Sequence, residues 1–326
     1  MRKTEGAHLK TDQSSNAEGP GDRPLVSVIM NCYNGERYLR EAIDSVLQQT
    51  YGNWELVFWD NASEDGTAEI VHSYADGRIR YHLSSQTTPL GSARNSAIAQ
   101  ANGEFIAFLD SDDRWLPAKL ELQVRWFREN PDAGFCYSNY FKLVNDGRVR
   151  QKALAGAQPE GDVFSRFLRQ YPVNLQTVML RASSLNLFFD PELEVSEEYD
   201  LFMRLLSHVR AGYIDEPLVE YRIHGEMSSV RKIEKYAQEN AIVLQKLLSM
   251  SSDLERKYPT ELMHFRAKLG YYQARAEMAW DQPGLARAAL RPHIRAGGRF
   301  LILYFLAFFG RSAWNLAHRT LGRFSK

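Results

Sequence analysis

Three carboxylates stand within four residues of this 326-residue sequence. Asp110, Asp112 and Asp113 follow Glu104-Phe-Ile-Ala-Phe-Leu109, a run typical of a buried strand. Like charges this close raise each other's pKa, and a divalent cation removes the conflict. Oxygen ligands suit Mg²⁺ or Mn²⁺, which often bridge protein carboxylates to substrate phosphates. A solvated turn or a helix N-cap has the same composition, so the cluster alone leaves both interpretations open.

A second acidic group stands further along the chain. Glu197, Glu198 and Asp200 lie at the start of a helix predicted over residues 198 to 209. A carboxylate facing an apolar cleft can have its pKa raised towards the working pH, as a general base requires. Acidic side chains at a helix start also stabilise the helix dipole, and the two roles are compatible.

The elements that must position these groups alternate between strands and helices. Apolar runs beginning near Leu25, Trp54, Ile79 and Glu104 predict four strands, with helices between them. This alternation predicts an α/β fold with a mainly parallel, doubly wound sheet and helices on both faces. Ligands of such sheets bind at the carboxyl ends of the strands. Polar residues gather at those predicted ends: Asn31, Asn34, Asp60, Asn61 and Asp110 to Asp113.

Composition excludes several classes of protein. The chain has 40 Lys and Arg against 40 Asp and Glu, so a generally basic nucleic-acid binder is disfavoured. Hydrophobic residues at 44% and charged residues at 25% are ordinary for a soluble globular protein and exclude a polytopic membrane protein. Cys32 and Cys136 cannot build a disulfide framework, so a reducing compartment is expected.

The end of the chain is basic. Residues 285–326 contain eight Lys or Arg and no Asp or Glu. Four arginines recur every four residues and predict one basic helix face, kinked at Pro292: Arg287, Arg291, Arg295 and Arg299. The apolar run Phe300–Phe309 has ten residues, whereas a transmembrane helix needs about 20.

This tail predicts an interfacial helix on an anionic membrane surface. Trp314 and the Phe and Leu side chains would enter the headgroup boundary, and the arginines would face anionic lipid. A helix docked on the domain core, or a contact between copies in a homo-oligomer, is an open alternative.

Five segments resemble, in order and spacing, the successive motifs of family 2 glycosyltransferases. They are Val26-Ser-Val-Ile-Met-Asn-Cys-Tyr-Asn34, Ala42–Thr50, Asp60–Thr67, Gly91–Asn95 and Gly103–Asp113. The resemblance covers about residues 24 to 230 and implies the GT-A fold, in which a nucleotide-binding half is fused to an acceptor-binding half. The Gln-x-x-Arg-Trp motif of processive members is absent after Glu198. Non-processive transfer of one sugar is therefore expected, and the resemblance implies that the transfer is inverting.

The resemblance also implies roles at the carboxylate end of the site. Asp110-Ser-Asp112 matches the metal-binding DxD motif, so Asp112 would bind Mn²⁺ or Mg²⁺ and Asp110 the sugar, the nucleotide or the metal. Ser196–Arg204 resembles the Glu-Asp-Tyr-Asp-Leu segment, which makes Glu198 the catalytic base where Asp is commoner. Tyr221–Ser229 resembles the closing Tyr-Arg-x-His segment, so that His224 would reach the metal or diphosphate and Arg222 would help hold phosphate.

Further positions match the nucleotide site of the family. Asn31 and Tyr33 would embrace the base. Asp60 and Asn61 match the base and ribose site, where many relatives have Asp-Asp. Arg94 matches a basic residue near the nucleotide, with an ordinary helix-surface ion pair as the alternative.

The expected organisation has four parts. Residues 1–23 are a disordered lead, 24–230 the GT-A domain (24–116 nucleotide-binding, 117–230 acceptor-binding), 231–295 a helical extension and 296–326 a basic amphipathic tail. The expected partners are a nucleoside-diphosphate sugar, in particular one linked to UDP, and a glycan or lipid-linked glycan acceptor. The expected place is cytoplasmic, peripheral at the inner face of the cell membrane, in bacterial surface polysaccharide synthesis. No nucleic-acid partner is expected.

Two other functions are weighed against this one. A sugar nucleotidyltransferase shares the α/β core and carboxylate–metal chemistry, but it normally has a Gly-rich basic phosphate loop, and Asn31–Glu36 is not one. A non-catalytic nucleotide-sugar-binding module at a membrane is the second alternative. The presence of Asp110, Asp112, Glu198 and His224 argues against it.

Overall fold

A nine-stranded sheet forms the centre of the computed structural model, which describes residues 23–144, 149–224, 232 and 234–320. The strands are β1 (Val26–Cys32), β2 (Trp54–Asp60), β3 (Ile79–Leu83), β4 (Phe105–Phe108), β5 (Arg114–Trp115), β6 (Phe135–Val144), β7 (Val149–Lys152), β8 (Met179–Arg181) and β9 (Ala211–Arg222). The helices of the first 206 residues are α1 (Leu39–Leu47), α2 (Thr67–His72), α3 (Leu90–Ile98), α4 (Lys119–Glu129), α5 (Phe164–Arg169) and α6 (Glu197–Leu206). The later helices are α7 (Lys235–Met250), α8 (Leu254–Lys257), α9 (Pro259–Ala279), α10 (Pro283–Leu290), α11 (Gly298–Leu306) and α12 (Gly310–Thr320).

The sheet has a parallel half and a mixed half. Its order is β3-β2-β1-β4-β8-β6-β9-β5, with β7 paired to β6. Strands β3, β2, β1 and β4 are all parallel, so the predicted α/β sheet is confirmed and the polar ends of β1, β2 and β4 meet at one edge. Antiparallel pairs lie in the second half, where β8 joins β4 to β6 and β5 pairs with β9.

The strands are apolar on both faces because each face covers a separate core. Along β1, Val28 and Met30 belong to the cluster that includes Ile43 of α1. Ile29 belongs to the opposite cluster, which includes Ala97 of α3. A strand buried on both sides reads as a continuous apolar run, which is why the sequence locates these strands well.

The first helices after residue 234 pack against the hydrophobic core of the preceding residues. Val243 and Leu247 of α7 and Phe265 of α9 join the cluster that contains Phe135 and Phe202 of the sheet half. Helices α9 and α10 begin at proline, as expected of a residue whose missing N–H costs nothing in the first helical turn. The predicted helical character of this stretch is confirmed, while the predicted domain limits stay predictions.

The predicted single basic face of the tail is wrong. Helix α10 ends at Leu290, Arg291–His293 forms a 3-10 turn, and α11 begins only at Gly298. Pro292 and the Gly297-Gly298 pair interrupt the helix, so the four arginines lie on different elements.

The tail helices dock on the core and leave an apolar face outside. Phe300, Leu303 and Ala307 are buried, and Trp314 is only 2% exposed, so its predicted place in a membrane boundary is also wrong. The outer surface, called here the apolar tail face, has exposed fractions between 40% and 75%. Its members are Leu301, Ile302, Phe305, Phe308 and Phe309. Among the described helices, none has both the length and the hydrophobicity of a membrane span.

Some predicted features fall outside the described residues. These are the lead over residues 1–22, the segment from Gly225 to Ser229, and the basic residues after Thr320.

A buried lysine predicts a pH-dependent stability. Lys119 has no exposed surface, and its ammonium donates to Gln123 Oε1 at 2.6 Å and lies 4.1 Å from the Trp115 ring centroid. Burial lowers the pKa of Lys119 from 10.5 to about 7. Between those values the unfolded chain binds more protons than the folded one. This lysine therefore makes the free energy of unfolding rise with pH, by up to about 1.4 kcal/mol per pH unit.

We expect Lys119→Met to remove that slope. Urea denaturation measures the free energy of unfolding of the wild type and of the variant at about pH 7 and pH 9, within the window of the shifted pKa. The difference in this free energy between the two proteins should change between the two pH values. Lys152→Met, at a lysine 43% exposed, is the control and should leave the slope intact. If wild type and Lys119→Met differ by the same free energy of unfolding at both pH values, the prediction is contradicted.

Candidate active site

The three predicted carboxylates lie together beyond the end of β4. Oxygens of Asp110, Asp112 and Asp113 lie within 4.8 Å of one another. The side chains of Asp110 and Asp112 are 34% and 36% exposed, whereas Asp113 is 2% exposed. The cluster therefore has an open side formed by Asp110 and Asp112 and a buried side formed by Asp113.

The strand pairing explains why His224 meets this cluster. Arg114 of β5 is opposite Glu220 of β9 in an antiparallel register, so the residues before β5 run beside those after β9. His224 Nε2 is 2.8 Å from Asp112 Oδ2, although 112 residues separate them in sequence. The structure thus brings together the two residues predicted to reach the same cation.

Asp113 is the third carboxylate of the cluster, and the sequence analysis assigned it no separate role. One of its oxygens accepts the backbone N–H of Arg222 at 2.7 Å, and Oδ2 is buried without a hydrogen-bond partner in the described part of the chain. Burial, with Asp112 and Asp110 nearby, raises the pKa of Asp113 well above its ordinary value. Clustered hard oxygens and an unsatisfied buried carboxylate oxygen fit a divalent cation such as Mg²⁺ or Mn²⁺.

Arg222 is held by protein groups on several sides. Its Nε donates to the carbonyl of Asp112 at 3.0 Å, and a terminal nitrogen lies 2.8 Å from Glu41 Oε2. The guanidinium carbon is 4.3 Å from the ring centroid of Tyr38. These contacts fix the backbone of the carboxylate loop, and the predicted contact of Arg222 with phosphate stays a prediction.

Arg94 joins the two acidic groups that the sequence singled out. It is 4% exposed and bridges Asp110 at 3.1 Å and Glu197 at 2.7 Å. Burial opposes its charge, but Asp110, Glu197 and Glu198 together raise the pKa of Arg94. The alternative of an ordinary surface ion pair is excluded because the guanidinium is buried. Gln176 donates to the second oxygen of Asp110, a contact that nothing in the sequence announces.

The loops after β1 and β2 are bonded to each other. Asn34 Oδ1 accepts the N–H of Glu64 at 2.8 Å, and the N–H of Asn34 donates to Ser63 Oγ at 3.0 Å. Asn34 and Ala62 have φ of 52° and 64°, in the left-handed region that non-glycine residues rarely adopt. Such backbone strain is concentrated at functional sites, and here it shapes one continuous wall beside the carboxylates.

The predicted nucleotide residues are distributed over this wall. Tyr33 is 52% exposed, and Asn31 Nδ2 is buried without a hydrogen-bond partner among the described residues. Asp60 is 1% exposed and both its oxygens accept hydrogen bonds from the protein. The side-chain amide of Asn61 donates to the carbonyl of Thr88, and its oxygen accepts from the N–H and the hydroxyl of Thr88. Asp60 and Asn61 therefore hold the wall together by hydrogen bonds within the protein. Contacts of Asn31, Tyr33, Asp60 and Asn61 with a nucleotide stay predictions.

Glu198 lies in the first turn of α6 among tyrosines. It is half-buried, whereas its neighbour Glu197 is buried against Arg94. Burial raises the pKa of Tyr171, Tyr221 and Tyr236, and the charge of Glu198 adds to each rise. Of the two glutamates, Glu198 is thus the more accessible, in a largely aromatic setting.

A carboxylate from α7 fixes the start of α6. Glu239 is 5% exposed and accepts three backbone N–H groups, of Glu194 at 3.1 Å, Val195 at 2.9 Å and Ser196 at 3.0 Å. Asn240 donates to Ser196 Oγ at 2.9 Å. The direction in which Glu198 leaves the helix therefore depends on α7, a partner that sequence spacing could not identify.

We expect Glu239→Ala to lower the free energy of unfolding by about 1.5–3 kcal/mol or more, because hydrogen bonds to a charged acceptor are lost and buried N–H groups are left unsatisfied. Chemical denaturation measures the loss. Gln238→Ala, at the preceding exposed position of α7, is the matched control. Equal stability of the two variants would show that the three N–H groups do not depend on Glu239.

Comparison with known proteins places the chain among sugar-transferring enzymes. The family model described as glycosyl transferase family 2 matches residues 27–184. The UDP-Glc:alpha-D-GlcNAc-diphosphoundecaprenol beta-1,3-glucosyltransferase WfgD of Escherichia coli is 35% identical over 219 residues, which are 66% of this chain and 83% of that protein.

Two solved structures have the same fold. TarS 1-349 of S. aureus in complex with UDP-GlcNAc superposes with a TM-score of 0.65 at 21% identity, covering 92% of this chain and 93% of that one. The mannosyltransferase PcManGT of Pyrobaculum calidifontis, in complex with GDP-Man and Mn²⁺, gives 0.53 at 18% identity, covering 92% and 88%. The predicted GT-A architecture is therefore confirmed.

Proposed function

Because the chain belongs to glycosyl transferase family 2, we propose that it transfers one sugar from a UDP-linked donor, with inversion, to a hydroxyl of a lipid-diphosphate-linked glycan. The reaction belongs to the synthesis of a bacterial surface polysaccharide at the cytoplasmic face of the membrane. WfgD, which this chain matches over 83% of its length, is named for UDP-Glc and a diphosphoundecaprenol-linked GlcNAc, which supports both the donor and the acceptor class.

One observation carries the proposal: a single buried arginine joins the carboxylate cluster to Glu197, the residue that precedes Glu198. Arg94 contacts Asp110 on one side and Glu197, the neighbour of Glu198, on the other. A donor diphosphate at the cluster and an acceptor hydroxyl at Glu198 would thus be held by one rigid unit. Holding two reactants in line supplies much of the acceleration in such reactions.

The chain's own residues divide the work as follows. Glu198 takes the proton of the acceptor hydroxyl while the oxygen of that hydroxyl attacks the anomeric carbon of the donor sugar. Asp110, Asp112 and His224 would hold a divalent cation, with Asp113 behind them, and such a cation would supply neutralisation of the charge on the departing diphosphate. Asn31 and Tyr33 contact the base. Burial raises the pKa of Asp110, and Arg94 opposes that rise and holds the carboxylate in position.

The test is a donor panel. Purified protein is incubated with UDP-glucose, UDP-GlcNAc, GDP-mannose or TDP-glucose, with Mn²⁺, Mg²⁺ or EDTA, and with a GlcNAc-diphosphate-lipid. Metal-dependent release of UDP together with a product one hexose heavier supports the proposal. Release of pyrophosphate from UTP and a sugar phosphate, without sugar transfer, would instead indicate the nucleotidyltransferase. Tight UDP binding with neither reaction would indicate the non-catalytic module.

Membrane contact is the second part of the proposal. The apolar tail face is exposed, and residues 285–326 contain no acidic side chain, which suits an anionic lipid surface. We expect Phe305→Ser combined with Phe309→Ser to lower partitioning onto phosphatidylglycerol vesicles about tenfold or more, because two aromatic side chains lose their burial in lipid.

Co-sedimentation measures that partitioning. Phe188→Ser, at a phenylalanine 69% exposed elsewhere, is the matched control and should partition like the wild type. If the double variant sediments with vesicles as strongly as the control, the apolar tail face does not bind membrane.

A further inference from the structure

A basic cleft lies apart from the carboxylate cluster. It has a volume of about 290 Å³, and its cationic lining comes from Arg166 and Arg169 of α5, His264 of α9 and Arg299 of α11. No Asp or Glu is among the described residues that line it. Arg166 and Arg169 are three residues apart, so they project from the same side of α5. This set of residues is called here the arginine cleft.

The arginines of the arginine cleft have no ion-pair partner in the part of the chain that the structure describes, whereas Arg94, Arg204 and Arg222 all form ion pairs. Burial lowers the pKa of His264, and Arg169 and Arg299 lower it further against the smaller opposing effect of Glu261. The field inside the cleft is therefore positive, which suits a polyvalent anion. Guanidinium groups bind phosphate in a bidentate manner.

The cleft continues into the apolar tail face. Arg299 stands in the first turn of α11, and Ile302, three residues later, lies on the same side of the helix. Ile302 is 48% exposed, and Phe305, one further turn along, is 55% exposed. A ligand with an anionic group in the cleft would thus meet an apolar surface directly beside it.

The other wall of the cleft leads towards Glu198. Tyr171 lies between the lining residues Gln170 and Pro172. Its ring packs edge-on against Tyr199, with centroids 4.7 Å apart, and Tyr199 follows Glu198 in the chain. Tyr171 therefore connects the residues that line the cleft to the segment that carries Glu198.

We propose that the arginine cleft binds the diphosphate of the lipid-linked acceptor, with the lipid chain on the apolar tail face and the acceptor sugar directed towards Glu198. This inference rests on the proposed function and names the part of the acceptor that the enzyme recognises. An anion joined to a long apolar chain on one side and a sugar on the other matches the order of cleft, apolar face and Glu198. A free nucleotide has no group for the apolar face.

The first experiment uses farnesyl diphosphate as the probe, below its micelle concentration and in EDTA. Calorimetry should show that it binds the wild type more tightly than inorganic pyrophosphate, which lacks the chain, or farnesol, which lacks the anion. Arg166→Gln combined with Arg169→Gln should weaken binding about tenfold or more, because charge-assisted hydrogen bonds are lost. Asp112→Asn should leave it unchanged, since the cleft is separate from the carboxylate cluster.

A matched double variant controls for the loss of charge. Arg256→Gln combined with Arg266→Gln removes two arginines that are 81% and 44% exposed and lie outside the cleft. It should bind farnesyl diphosphate like the wild type. Equal affinity of both double variants for the probe overturns the proposal. So does a cleft variant that loses binding only to phosphatidylglycerol vesicles, because the cleft would then serve bulk lipid headgroups.

The second experiment separates this inference from the proposed function. With UDP-sugar and a GlcNAc-diphosphate-lipid, the cleft variant should raise the KM for the acceptor about tenfold, with a smaller change in kcat. If the wild type shows no transfer but still binds farnesyl diphosphate through the two arginines, the proposed function fails and the diphosphate site stands. If transfer proceeds and the cleft variant keeps the wild-type KM, the diphosphate site fails and the function stands.

Discussion

Glu198→Gln is expected to lower kcat for sugar transfer about 10²- to 10⁴-fold, the usual contribution of a general base. The amide has nearly the same shape as the carboxylate but cannot take the proton of the acceptor hydroxyl. The donor contacts of the wall and of the carboxylate cluster are untouched. The Kd for UDP with Mn²⁺, measured by calorimetry, should therefore equal that of the wild type.

Two controls make this result specific. Glu192→Gln changes an exposed glutamate just before α6 and should keep full activity. Glu197→Gln neutralises one of the two carboxylates that contact the buried Arg94 and should act mainly on stability, by about 1.5–3 kcal/mol, the usual contribution of a hydrogen bond to a charged group. Full turnover in Glu198→Gln would remove Glu198 as the base.

Asp112→Asn is expected to raise the Mn²⁺ concentration needed for half-maximal turnover and to lower kcat about 10³-fold or more. A neutral amide is a weaker ligand for a hard cation, and the cation contributes several kcal/mol of charge stabilisation when the diphosphate leaves. The partner His224, 2.8 Å away, also loses the carboxylate that orients its ring. Turnover of the donor as a function of Mn²⁺ concentration measures both effects.

Asp132→Asn, at an exposed aspartate distant in sequence from the motif, is the matched control. It should reproduce the wild-type metal titration. An Asp112→Asn variant with an unchanged titration would mean that the cluster serves only to hold the loop between β4 and β5.

The parallel half of the fold and the strand ends were predictable because strands buried on both faces leave continuous apolar runs. The motif residues at those ends could be located from the same runs. The meeting of Asp112 with His224 followed from motif order, and the β5–β9 register gives its physical reason.

Contacts between distant segments that belong to no recognised motif could not be predicted. Gln176 reaches Asp110, and Glu239 reaches residues 194 to 196, through packing that leaves no periodic signal. The predicted single basic face of the tail was wrong for a different reason. A spacing of four residues indicates one helix face only while the helix continues, and Pro292 and Gly297-Gly298 end it. The burial of Trp314 was likewise hidden, because an apolar helix pattern does not say which surface it covers.

The link between Glu239 and the start of α6 sets an order of events during translation. A ribosome releases a chain from its N-terminus, and folding follows emergence. The carboxylates, His224 and α6 all leave the ribosome before α7, so the side chain that fixes the start of α6 is the last part of this arrangement to be made.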